Sequence, residues 1–155
     1  MAQLAIGDIA PAINGVDQNG NAFSLENFKG QKVALYFYPK DNTPGCTAQA
    51  CNLRDNNSTL QTEGIKVVGV SIDSEKSHKK FEEKFSLPFP LLADTEHKIV
   101  QDYGVWGLKK FMGKEYMGTN RTTFLIDEEG KIVHIISKVQ TKDHTAQILE
   151  FWKGN

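Results

Sequence analysis

Two cysteines, Cys46 and Cys51, are the only thiols among 155 residues, and they stand five positions apart. So sparse a pair is too small for a disulfide framework and, without clustered histidines, too small for a structural zinc site. What remains is thiol chemistry. Cys46 closes the run Thr43-Pro44-Gly45-Cys46. With Thr43 as N-cap, Pro44 sits at N1, where its missing N–H costs nothing, and Cys46 falls at N3 of a helix. A sulfur there faces the positive end of the helix dipole and unsatisfied backbone N–H groups, and both favour thiolate. An ordinary thiol, with a pKa of about 8.5, is only a few per cent ionised at pH 7; helix N-termini or nearby cations lower that value into a range of about 3.5–7.5. The competing reading is two small buried hydrophobes. For a bare C-x4-C the two readings weigh about equally, and the coincidence of cap, N1 proline and N3 cysteine favours the reactive thiol.

Helix geometry separates the two sulfurs. Five residues turn by about 500°, a net 140°, and rise about 7.5 Å, which puts the Cα atoms roughly 8–9 Å apart. A disulfide needs them within about 7 Å. In an intact helix the pair cannot bond, so a bond between them requires the first turn or two to unwind. The same rotation takes Cys51 off the Ala50/Leu53 stripe, which predicts Cys51 to be the more exposed sulfur. The C-x-x-C spacing usual in dithiol oxidoreductases is absent.

The elements that position the pair follow from apolar periodicity. Ile13 to Val16 and Ala22 to Leu25 flank Asp17-Gln18-Asn19-Gly20-Asn21 and read as a short N-terminal β-hairpin. Lys32 to Tyr38 and Lys66 to Ile72 are continuous apolar runs, as expected of strands covered on both faces. Between them, Pro44 to about Thr62 carries Cys46, Ala50, Leu53 and Leu60 on one helical stripe, completing a right-handed βαβ unit. Ser74 is placed to cap a helix with His78, Phe81 and Phe85 on one face, ended by Leu87-Pro88-Phe89-Pro90. A short helix is expected near Glu96 to Tyr103, and the glycine-rich stretch from Gly104 to Thr119 reads as an excursion. Thr122 to Ile126 and Lys131 to Ile136 flank Asp127-Glu128-Glu129-Gly130 as an antiparallel hairpin, and Lys142 to Trp152 forms a closing helix with Thr145, Ile148, Leu149 and Trp152 on one face. The order predicts an α/β, thioredoxin-like fold: a central mixed β-sheet flanked by helices, in one domain spanning 1–155.

Pro39-x-x-x-Thr43-x-x-Cys46 resembles the P-x-x-x-T-x-x-C signature of peroxiredoxins, and Cys51 five residues on resembles their bacterioferritin comigratory protein, or Q-type, subfamily. Similarity extends over nearly the whole chain, through Gly7-Asp8-Ile9-Ala10-Pro11, Gly69-Val70-Ser71, Leu87 to Asp94 and Asn120 to Asp127; Trp106 to Met117 matches only loosely. The resemblance implies a peroxidatic Cys46, a resolving Cys51, and Thr43, Arg121 and Pro39 completing the site. Thr43 and Arg121 would donate to the departing peroxide oxygen, and Pro39 would shield the thiolate. It also implies hydrogen peroxide and organic hydroperoxides as substrates, protection against oxidative stress, and thioredoxin or a similar dithiol as reductant. Asp55 to Ser58, with Asn56 beside Asn57, is poor in helix formers, which would help the helix loosen for resolution. Two alternatives on the same fold are a non-catalytic redox sensor and a general thiol-disulfide oxidoreductase, the latter disfavoured by the missing C-x-x-C.

Composition excludes other classes. Eighteen basic and nineteen acidic residues give a net charge of −1, which argues against a nucleic-acid surface. The start, Met1 to Asp8, has no basic-then-apolar leader, and no apolar stretch approaches membrane-spanning length, so a cytoplasmic protein is expected. No cofactor or metal is expected, and a resolving cysteine in the same chain makes a monomer sufficient. The four histidines are read as non-catalytic: His78 on an apolar helix face, His134 in a strand, His97 and His144 as surface helix residues. Lys109, Lys110 and Lys114 read as a solvated loop, and Trp106 and Phe111 as packing residues.

Overall fold

The protein is described by a computed structural model covering residues 4–153. Residues 1–3, part of the Met1 to Asp8 start, and 154–155, at the end of the expected 1–155 span, lie outside the described residues. The expected hairpin is present as Asn14–Val16 (β1) against Ala22–Ser24 (β2), with Gly20 supplying the positive φ of its turn. Lys32–Phe37 (β3) is buried from Val33 onward, and its alternation divides the core: Val33, Leu35 and Phe37 pack on one face, Ala34 and Tyr36 on the other.

A correction concerns the crossover. Instead of one helix to Thr62, Pro44–Asp55 (α1) and Asn57–Thr62 (α2) are separated at Asn56, with φ −111° and ψ 13°. The Asn56 side-chain amide donates to the Asn52 carbonyl at 2.8 Å, the local competition with helix that makes asparagine a breaker. Ile65–Ser71 (β4) then pairs parallel to β3, Leu35 opposite Val68. Glu75–Phe85 (α3) is capped as predicted, the Ser74 hydroxyl accepting from the Ser77 N–H. A three-residue parallel strand, Leu91–Ala93 (β5), joins β4 and was not legible from its few residues; Lys98–Asp102 (α4) follows.

Residues 104–119 are not an irregular excursion. Trp106–Phe111 (β6) and Lys114–Thr119 (β7) form a two-stranded antiparallel sheet of their own. Its tip, Met112-Gly113, has positive φ at both positions, 51° and 78°, the geometry of a type I′ turn. Methionine is not a turn marker, which hid the hairpin from composition. Lys109, Lys110 and Lys114 therefore sit on strands, and Phe111, expected to pack, is 66% exposed. Trp106 does pack, half-buried and with its ring tilted 40° against the His97 ring, centroids 4.5 Å apart.

Thr122–Ile126 (β8) and Ile132–Ile136 (β9) complete the sheet in the order β5-β4-β3-β8-β9, with β3 parallel to β4 and antiparallel to β8. His144–Lys153 (α5) closes the chain. Helices α1, α3 and α5 bury Leu53, Phe81 and Ile148 on the Tyr36 face; α4 buries Ile99 and Val100 on the Phe37 face together with Ile13 and Phe23 from the N-terminal segment. His97 precedes α4 and is half-buried. His144 is fully buried, contrary to the surface position expected: its Nδ1–H donates to Gln147 Oε1 and its Nε2 accepts from the Thr123 hydroxyl, both at 2.8 Å. Hydrogen bonds of this kind make a polar core residue indistinguishable from a surface one by pattern alone.

Two expectations follow. A Cβ on Gly69 would lie 2.9 Å from Tyr36 Cζ and from Leu91 Cδ2, so Gly69→Ala should cost about 1–3 kcal/mol, read from the urea midpoint. Burial pushes the His144 imidazole below its ordinary value; the Gln147 hydrogen bond opposes this and the Arg121 charge adds to it. The unfolded chain therefore takes up this proton first, and stability is full above about pH 6.5 and lost as pH falls below it. Midpoints measured between pH 7.5 and 5.5 should fall less in His144→Gln than in the wild type.

Candidate active site

The site forms where β3 hands over to α1. The Tyr38 N–H still donates to the Val70 carbonyl, after which Pro39 to Thr43 leave the sheet. Asp41 anchors this loop. Its backbone N–H donates to Asp73 Oδ2 at 2.8 Å, its Oδ1 accepts from the Tyr38 hydroxyl at 2.6 Å, and its Oδ2 accepts from the Ser77 hydroxyl at 2.8 Å and lies 2.6 Å from His78 Nδ1. His78 Nε2 reaches the Leu92 carbonyl at 2.8 Å. Loop, α3 and β5 are thus tied through Tyr38, Asp41 and His78, which are almost wholly buried.

Thr43 has the extended N-cap conformation, φ −96° and ψ 157°, and Pro44 opens the helix. The Thr43 carbonyl accepts from the Thr47 N–H at 2.8 Å, whereas its hydroxyl donates back to the Lys40 carbonyl at 2.9 Å instead of capping. Cys46 accordingly falls in the first turn. It is 2% exposed and belongs to the Tyr36-face core, while Cys51 is partly exposed, the order expected from helical rotation. Both thiols are free within an unbroken α1.

Arg121 is brought to the sulfur by strand pairing. It immediately precedes β8, whose Thr122 lies opposite Phe37 at the end of β3. Its Nη2 donates to Cys46 Sγ at 3.3 Å, and its Nη1 donates to Gln49 Oε1 at 2.6 Å. A Cβ on Gly45 would stand 3.3 Å from Nη2, so glycine at the second helical position leaves room for the guanidinium. Tyr36 lies below; burial first, then the Cys46 and Asp41 charges, push its phenol well above the ordinary value. Pro39 is half-buried at the strand end.

Of the residues singled out from sequence, the structure joins Cys46 and Arg121 directly, sets Thr43 at the helix cap, and leaves Cys51 about 1.4 turns away on the same helix. Gln49, Gly45 and Asp41 went unrecognised. Gln49 stands three residues after Cys46, and that i, i+3 spacing on a buried face was the available signal.

Residues 6–135 match the AhpC/TSA family. The chain belongs to the AhpC/TSA family. Its relatives include peroxiredoxin Bcp of Bacillus subtilis, 47% identical over 150 residues that span 97% of this chain and 96% of the relative. Peroxiredoxin Bcp of Escherichia coli is 46% identical over 153 residues, 99% of this chain and 98% of the relative. Similar solved structures include a cysteine-to-serine variant of PrxQ from Xylella fastidiosa, with a TM-score of 0.92, 28% identity and coverage of 99% and 98% of the two chains. The bacterioferritin comigratory protein of Xanthomonas campestris, described for its alkyl peroxide reduction activity, has a TM-score of 0.86 at 32% identity, covering 92% of this chain and 90% of that one. This peroxiredoxin is thus of the Bcp, or Q, type, with a thioredoxin fold and a thiol peroxidase role.

Removing the guanidinium tests the geometry of the site. Arg121→Ala should slow the reaction of this peroxiredoxin with peroxide by about 10²–10³-fold. Gln49→Ala, which frees the guanidinium without deleting it, should slow it by about tenfold; stopped-flow fluorescence reads both.

Proposed function

We propose that this peroxiredoxin reduces hydrogen peroxide and organic hydroperoxides at Cys46, resolves the product with Cys51, and is recycled by thioredoxin or a similar dithiol. The observation that carries the reading is the Arg121 guanidinium seated 3.3 Å from Cys46 Sγ. In the first step the Cys46 thiolate attacks one peroxide oxygen: an S–O bond forms, the O–O bond breaks, and the leaving alkoxide or hydroxide takes a proton. Arg121 and the backbone N–H groups of the first turn supply positive charge for that departure, with Thr43 positioned at the cap and Pro39 limiting water. Cys46 is left as a sulfenic acid.

In the second step the Cys51 thiol condenses with the sulfenic acid, forming an S–S bond and releasing water. Both residues lie in one unbroken helix, Pro44–Asp55, so α1 must unwind between them before the sulfurs can approach. Serine variants of the Xanthomonas campestris PrxQ replace cysteines 36 positions apart. In this chain the position 36 beyond Cys46 is Glu82, and Cys51 is the only second thiol. The dithiol then attacks the disulfide, two electrons and two protons return to the cysteines, and the reductant leaves oxidised. One domain spanning 1–155 acting as a monomer suffices, since both thiols share a helix. No described helix is long and apolar enough to cross a membrane, and a cytoplasmic setting is consistent with free thiols.

The roles separate cleanly by mutation. Cys46→Ser should abolish peroxide-dependent NADPH oxidation in a thioredoxin-coupled assay. Cys51→Ser should consume one equivalent of peroxide and stop as a sulfenic acid, visible as a 16 Da gain of one oxygen or as a dimedone adduct. Full turnover in Cys46→Ser overturns the assignment, and a wild type that stops after one equivalent with every reductant points to a sensor.

A further inference from the structure

Five of the seven large apolar side chains exposed among the described residues lie on the β6–β7 hairpin: Leu108, Phe111, Met112, Tyr116 and Met117. The hairpin makes no sheet pairing outside itself, and an isolated two-stranded ribbon is marginal in water. Its tip adds a cost, because Met112 holds a left-handed φ of 51° while 87% exposed, a conformation that glycine or asparagine adopts far more cheaply. Folding alone gives no reason to keep these residues here.

The hairpin base abuts the site. The Asn120 N–H donates to the Val105 carbonyl at 2.7 Å, a Cβ on Gly107 would lie 3.4 Å from Asn120 Nδ2, and the next residue is Arg121, whose guanidinium touches Cys46. Whatever seats on the ribbon is therefore held beside the thiol that must be reduced. We propose that the β6–β7 hairpin is the docking arm for the dithiol protein that reduces the Cys46–Cys51 disulfide, a partner with an apolar groove and an acidic rim. This rests on the two-cysteine cycle proposed above.

Charge and shape select that occupant. The arm carries Lys109, Lys110 and Lys114 against Glu115 alone, in a chain of net charge −1. Two such arms repel each other, which disfavours a second copy, and an acidic rim attracts them. A lipid surface fits less well. Leu108 pairs with Met117 in mid-shaft, and the Lys110–Glu115 pair, 3.7 Å apart, stands between them and the tip. Insertion deep enough to cover Leu108 would drag that ion pair into hydrocarbon, at high cost. A protein groove can instead take Leu108 and Met117 on one face of the ribbon and Phe111 and Tyr116 on the other.

The test uses Phe111→Thr combined with Met112→Asn, which keeps strand and turn propensity while removing the apolar tip, and separately Lys110→Glu combined with Lys114→Glu. Steady-state turnover is measured with bacterial thioredoxin and glutaredoxin systems and, in parallel, with dithiothreitol, which needs no docking surface. Both variants should raise the KM for the protein reductant about tenfold or more, with the peroxide rate of Cys46 and dithiothreitol-supported turnover unchanged. An unchanged KM overturns the proposal. So does wild-type turnover with dithiothreitol but with neither protein, or binding to phosphatidylglycerol vesicles or a dimer in solution that the variants abolish without altering KM. Failure of wild-type turnover even with dithiothreitol would instead strike the two-cysteine cycle.

Discussion

Cys46 and Cys51 stand on the same unbroken helix at a separation that helix geometry keeps out of bonding range. That constraint organises the rest of the molecule. The folded helix holds the first thiol where donors converge on it, and the same fold withholds the second. In the proposed cycle, reaction with peroxide and formation of the disulfide therefore need two different conformations of one segment. The surrounding structure must be firm enough to assemble the first and divided so that only the segment between the sulfurs gives way.

The hydrogen bonds mark where that division falls. Upstream, Asp41 fixes the loop to α3 and, through Asp73, to the end of β4, by bonds that do not involve α1. Downstream, Asn52 is held by the C-terminal segment: its Oδ1 accepts from the Thr145 N–H at 2.8 Å and its Nδ2 donates to the Lys142 carbonyl at 3.0 Å. Between these anchors lie residues 42–51, which contain both sulfurs. Asn56, expected to loosen the helix, breaks it beyond the Asn52 anchor, so the looseness there lies outside the segment that opens in the proposed cycle.

Much of this was legible in the sequence, for identifiable reasons. β3 and β4 are long apolar runs covered on both faces, and their period and length leave little choice. The start of α1 could be placed to the residue because Thr43, Pro44 and Cys46 each fit a position with distinct chemistry. Three features escaped. β5 is only three residues long, its pairing set by β4 and not by its own composition. The β6–β7 hairpin turns at Met112-Gly113, where the usual asparagine or aspartate is absent. Gln49, Asp41 and His144 are polar residues at buried positions, and burial of a polar group depends on a partner that is distant in sequence, such as Arg121 for Gln49 or Thr123 for His144.

The contact that builds the site also gates its opening. In the proposed cycle a Cys46 thiolate and the Arg121 guanidinium form an ion pair, whereas the sulfenic acid leaves a guanidinium donating to a neutral group, so oxidation removes the Coulomb attraction between the two charges. The difference, on the order of 1 kcal/mol, changes a local opening equilibrium by several-fold without any other rearrangement. Gln49 lies between the two sulfurs on α1, so the 2.6 Å bond its side-chain oxygen accepts from Arg121 holds the same segment closed and must also yield when that segment opens. The guanidinium can stay on the closed side of the boundary while the turn bearing Cys46 leaves it. In the proposed cycle the chemical event thus lowers the cost of the unfolding that must follow it, and opening is favoured several-fold once the sulfur has reacted.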